Sequence, residues 1–166
     1  MGRIRKLLVA AVAAASLVGA GTVAVAAHER GTLIEFDSMT PVTGAAVGVV
    51  NDRGIKGGGL PWVITSGRGE VDRHGNVEVK VRGLIIVVPP VGGHNPVPMF
   101  MATVSCISHG AVVNVSTAPA AASAAGDSTI TGRVSLPHPC KDPIVFVAAP
   151  TGQWFAMSNS EREGDD

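Results

Sequence analysis

Apolar and polar residues alternate most clearly from Asn76 to Arg82, where Val77, Val79 and Val81 share one face and Glu78, Lys80 and Arg82 the other. A period of two is the signature of a strand with one buried and one solvated side. Similar strand-like runs recur at 32–37, 44–50, 61–66, 68–72, 99–108, 111–117, 128–136 and 143–149, with a short piece near 154–158. The run that starts at Asn76 extends as far as residue 88, interrupted at Gly83. Beyond the first residues of the chain, no window carries apolar residues at helical spacing over three turns. Turn-rich segments punctuate the runs: Gly57-Gly58-Gly59, the proline-rich 89–98, the alanine-rich 118–126 and 137–143. Many short strands at such intervals predict an all-β fold, an antiparallel β-sandwich of immunoglobulin-like or jelly-roll-like type, with a small β-barrel as the alternative.

One connection can be worked out in detail. A two-residue loop His74-Gly75 would place Val71 opposite Glu78, an apolar and a charged side chain on one face. A three-residue loop Arg73-His74-Gly75 instead pairs Val71 with Val77, with Asp72 opening the turn and Gly75 left-handed in a bulge. The hairpin is therefore predicted in that register, with Glu70 opposite Glu78 and Lys80 near enough to screen them. Gly83 precedes the apolar run Leu84 to Val88, suited to a strand covered on both sides or crossing between sheets. The prolines of 89–98 lack amide donors, so this segment reads as a rigid, solvent-facing loop. The triple glycine reads as a flexible turn, since it lacks the Lys and Ser/Thr of a phosphate loop.

The first residues follow a different pattern. Arg3, Arg5 and Lys6 precede an uncharged apolar stretch that ends in small residues, the layout of a signal peptide cleaved after Ala26 or Ala27. An uncleaved membrane anchor is the alternative, because about 20 apolar residues span a bilayer. The expected divisions are a signal peptide at 1–26, a flexible mature N-terminus at 27–31, one sandwich domain at 32–159 and a disordered acidic tail at 160–166. The mature chain, with 10 Lys+Arg against 13 Asp+Glu, is mildly acidic, because three of the 13 cations leave with the leader. Such a balance offers no basic field for nucleic acid or an anionic membrane. A secreted protein with an extracellular or envelope partner is expected.

In an exported chain the only two cysteines, Cys106 and Cys140, predict a disulfide. The competing reading is a metal site using Cys106, His109, His138 and Cys140, two thiolates and two imidazoles in four-coordinate number. Otherwise no cofactor is expected. His94 and Asn95 are the polar pair of the proline-rich loop and the first candidates for loop-borne function. Ser66, Glu70 and Asp72 supply hydrolase-type side chains, but there is no Gly-x-Ser-x-Gly elbow and no histidine at recognisable triad spacing. The expected role is thus a non-enzymatic binding or structural module, ahead of the metal-binding protein and a small secreted hydrolase.

The stretches GGGLPWVITSGRGEVDRHGNVEV (57–79) and PHPCKDPIVFVAAPTGQWFAMSN (137–159) resemble an uncharacterised family of small exported proteins of high-GC Gram-positive bacteria. The resemblance implies export and carries no activity, ligand or catalytic residue.

Overall fold

The computed structural model describes residues 31–159. The expected signal peptide, the expected mature N-terminus up to residue 30 and the expected disordered tail at 160–166 fall outside the described residues. One sheet contains β1 (Thr32–Phe36), β4 (Ser66–Asp72), β5 (Asn76–Arg82) and β10 (Ser128–Arg133), in the order β1-β4-β5-β10. The other contains β2 (Met39–Pro41), β12 (Trp154–Ser158), β11 (Lys141–Ala148), β7 (Met99–Ser108) and β8 (Ala111–Ser116) in that spatial order. A short β9 (Ala120–Ala121) adds to the start of β7, while β3 (Trp62–Val63) and β6 (Ile85–Ile86) pair separately. The strand pairings are antiparallel and the sheets stay open at their edges, so the fold is a β-sandwich and not a barrel.

The core lies where the inward faces meet. Val77, Val79 and Val81 of β5 are buried and joined by Phe36 and Ile130 from neighbouring strands. Opposite them, β7 contributes Phe100, Ala102, Val104 and Cys106, and β11 contributes Val145 and Val147. Trp62 stacks on Phe155 with ring centroids 4.2 Å apart, and Phe100 meets both rings at an angle. These aromatic side chains bury large apolar areas, the dominant stabilising term in a sandwich interior.

The β4–β5 hairpin has the predicted register: Val71 faces Val77 and Glu70 faces Glu78. Asp72 builds the turn. Its Oδ1 accepts the His74 and Asn76 amides at 2.8 and 2.9 Å, and its Oδ2 accepts the Asn76 side-chain amide at 2.6 Å. Gly75 closes the turn at φ 84, a left-handed conformation that L side chains resist. Lys80 forms an ion pair with Glu78, and this contact holds the Glu78 carboxyl below its ordinary range. The like-charge pairing across the hairpin is thereby offset on the solvent face.

Three expectations need correction. The run 44–50 is not a strand: Gly44–Ala46 forms a single 3-10 turn, and Gly44 and Gly48 are both left-handed, which breaks any extended ladder. Residues 43–58 instead form a strap over the outer face of the second sheet. Arg53 anchors it, donating to the Asp142 carbonyl at 2.9 Å and to Ser105 Oγ at 3.4 Å, while Asn114 Nδ2 donates to the Arg53 carbonyl at 2.8 Å. The triple glycine is consequently no free turn. A Cβ on Gly58 would lie 2.8 Å from Trp62 Nε1, so the strap passes too close to the core for any side chain there. Lastly, 118–126 is not wholly loop, since β9 pairs with Met99 and Phe100.

The turn chemistry of Asp72 has a pH signature. Burial works to raise its pKa, but the donors of Asn76, the His74 amide and the His74 charge outweigh it and hold the carboxyl below its ordinary 3.8. A carboxylate with a lowered folded pKa contributes stability above its unfolded value, and loses it as pH falls through the folded value. Asp72→Ala is therefore expected to lower the thermal midpoint at pH 7 and to match the parent protein near pH 2. Parallel melting curves across that range check this; an equal deficit at both ends would rule out the carboxylate as the cause.

Candidate functional site

β7 and β11 run side by side for nearly their whole length, with Ile107 opposite Lys141 at one end and Met101 opposite Ala148 at the other. This ladder gives the sandwich two ends with different chemistry. At the first end Cys106 and Cys140 are joined in a disulfide, with Cα atoms 5.0 Å apart and the two residues 34 positions apart in sequence. Both sulfurs are consumed, so the four-ligand metal reading loses its two thiolates. His109 Nε2 lies 3.2 Å from the His138 carbonyl oxygen, a contact with backbone and not with a second imidazole. Among the described residues no group of three or more His, Cys, Asp or Glu side chains is arranged to hold a metal ion.

His109 has a structural role that its spacing from Cys106 does not reveal. It and Gly110 form the two-residue connection between Ser108 and Ala111, with φ of 50 and 82. Left-handed values at both central positions define the type I′ turn that fits the twist of paired strands. Ser66 lies at the start of β4 and Asp72 at its far end, and neither meets His94, which sits in the loop between β6 and β7. The hydrolase-type side chains are therefore distributed along the fold.

Asn95 also departs from expectation. It is only 6% exposed, and its side chain donates to the Val97 carbonyl at 2.6 Å and the Ser123 carbonyl at 3.0 Å. Its Oδ1 accepts the Val97 amide at 2.9 Å, and its own amide donates to the Ala124 carbonyl at 2.8 Å. Both side-chain donor hydrogens and the carbonyl are thus engaged with backbone, the condition under which a buried amide is stable. Asn95 staples the proline-rich loop to the segment after β9. His94 acts through its backbone, whose carbonyl accepts the Ile86 amide at 3.2 Å.

The consequence of this staple is the wall of a recess at the second end of the sandwich. An apolar concavity of about 630 Å³ opens there between the start of β7, the proline-rich loop and the turn from β11 to β12. Its floor is Trp62, Ile86 and Phe155, all nearly fully buried. Leu60, Val91 and Val97 form the sides, and three prolines, Pro96, Pro98 and Pro150, stand around the mouth. Thr151 and Gln153 are the polar side chains of the lining. None of the lining residues is charged. The size lies within the range typical of small-molecule sites, which are mostly apolar with a few polar groups at fixed positions.

A larger groove of about 1240 Å³ runs between β1 and the start of β11. It is lined by both signs of charge, including Arg53, Arg68 and Lys80 with Glu35, Glu70 and Asp142. Arg53 is committed to the strap, Lys80 to Glu78, and Glu70 accepts the Thr32 hydroxyl at 3.0 Å. These contacts stabilise the surface locally and do not converge on one point. The recess is the better candidate. Its lining was missed in the sequence, although Val91 and Val97, apolar residues inside a proline-rich loop, were a usable signal.

No known protein family, curated protein or solved structure matches the chain.

Replacing both cysteines by alanine is expected to cost about 3 to 4 kcal/mol, from the entropy regained by an unfolded chain no longer closed into this loop. Urea unfolding of the double variant measures it, and a loss under about 1 kcal/mol would mean the bridge constrains little. At the neighbouring turn, His109→Asn is expected to retain stability, because Asn tolerates the left-handed region. His109→Val is expected to lose about 1 to 2 kcal/mol. Equal losses for both variants would assign the histidine a role through its ring.

Proposed function

We propose that the protein is an exported, non-enzymatic β-sandwich binding module that works in the extracellular or envelope space, with the recess end of the sandwich as its binding end. The observation that carries this reading is the recess itself, an apolar site held open by the Asn95 staple. Pre-formed sites lose less ordering free energy on binding than sites that must first assemble. Export is supported by the leader pattern of residues 1–26 and by a disulfide of the kind that oxidising compartments maintain. The resemblance of 57–79 and 137–159 to exported proteins of high-GC Gram-positive bacteria agrees with it.

Two measurements test the reading. Produced with its own leader in a Gram-positive host, the protein is expected in the culture medium, beginning at Ala27 or His28 and carrying no free thiol. Recovery only with membranes, at full length, would overturn export. A photo-crosslinking residue at Thr151 is then expected to capture an envelope or medium component. The same residue at Val112 is expected to capture none, since Val112 pairs with Ile107, eight residues from Met99 along β7 and roughly 26 Å from the recess. Equal capture at both positions, or none at Thr151, would overturn the placement of the binding end.

A further inference from the structure

We infer that the recess binds an uncharged, predominantly apolar small molecule of the aliphatic-chain type, oriented with a hydrogen-bonding end toward Thr151 and Gln153. This deepens the binding-module reading and rests on it. Four observations converge.

The first is charge. No Asp, Glu, Lys, Arg or His contributes to the lining, so an ionic group drawn inside would be stripped of water with no partner of opposite sign. That cost is large enough to exclude ions from an apolar site. The second is shape and size. At about 630 Å³, the concavity has room for a small molecule, which lies against its partly exposed sides because the floor side chains are themselves almost inaccessible.

The third observation is the distribution of surface chemistry. Leu60, Val91 and Val97 present branched aliphatic groups, while the rings of Trp62 and Phe155 stack on each other at 4.2 Å. Those aromatic faces are already occupied by one another and by Phe100, which leaves aliphatic surface to receive the ligand. The fourth is asymmetry. Both polar side chains of the lining come from the single turn between β11 and β12, where the backbone is closed by Ala149 and Gln153. A ligand with one neutral polar end is thereby given a direction. Thr151 and Gln153 are exposed at the rim, and the lining holds no cation beside them to pair with a carboxylate.

The test uses the secreted full mature protein and the neutral fluorophore 1-aminoanthracene. Saturable enhancement of its emission is expected, with displacement by 1-decanol and much weaker displacement, by about tenfold or more, by decanoate of equal chain length. Val91→Asp places a charge in the wall. Thr151→Trp fills the mouth from an exposed position that does not disturb the core. Each is expected to weaken 1-decanol binding by about tenfold or more. Val112→Asp, on β8 beside the far end of β7, is expected to leave it unchanged. Melting curves establish that each variant is folded.

Equal loss in Val112→Asp would overturn the proposal, because binding would then be nonspecific. Equal competition by decanoate would overturn the uncharged class. Absence of saturable binding, together with capture at Thr151 by the crosslinker, would overturn the small-molecule site while leaving the binding-module reading intact, the recess then being part of a macromolecular surface.

Discussion

The ladder between β7 and β11 is the constraint on which the rest of the molecule depends. It runs from Ile107–Lys141 to Met101–Ala148, and β7 is at the same time paired with β8 along its second half and with β9 at its start. A strand hydrogen-bonded on both edges cannot shift register by one residue without turning Phe100, Ala102, Val104 and Cys106 out of the core. That fixed register brings Cys106 to Cys140 at one end. At the other it sets Phe100 beneath Trp62 and Phe155, the aromatic platform under the recess. The covalent staple and the candidate site are thus opposite ends of one aligned pair of strands.

The strap adds a layer that ordinary two-sheet packing lacks. Ser105, Phe146 and Trp154 lie on the face of the second sheet turned away from the sandwich interior, yet all three are buried. Phe146 and Trp154 meet edge to face, with centroids 5.7 Å apart, and the backbone of Trp154 bonds to Lys56 and Gly58 of the strap. Trp154 Nε1 has no hydrogen-bond partner among the described residues, so this small second core is less completely satisfied than the main one. Its retention rests on shape and on three polar anchors: Arg53 to Ser105, Arg53 to Asp142 and Asn114 to the Arg53 carbonyl.

What was legible in the sequence was local. The hairpin at 73–75 could be read to its register because alternation on β5 and the turn chemistry of Asp72 and Gly75 give the same answer. The strands at 99–108 and 128–136 announce themselves by β-branched and alternating residues, and the disulfide by its being the only cysteine pair, although the second strand ends early, at Arg133. Residues 44–50 read as a strand because Val47, Val49 and Val50 resemble one, and that pattern outweighs Gly44 and Gly48, whose left-handed conformations bend the segment. Asn95 looked like an exposed polar group because its four backbone contacts come from Val97, Ser123 and Ala124, brought near by β9 pairing with β7. The recess was hidden for a related reason: its lining comes from segments around residues 60, 91–99 and 150, which only the tertiary fold assembles.

The anchor at Asn114 has a practical consequence for making the protein. Asn114-Val115-Ser116 is an acceptor triplet for N-linked sugars, and the nitrogen that receives the sugar is the one that donates to Arg53. In a eukaryotic secretory pathway that nitrogen would carry a bulky glycan at the spot where the strap docks. The choice of expression host therefore decides whether this one of the strap's three polar anchors is available. Material from a host without that machinery keeps the Asn114 side chain free to make this bond.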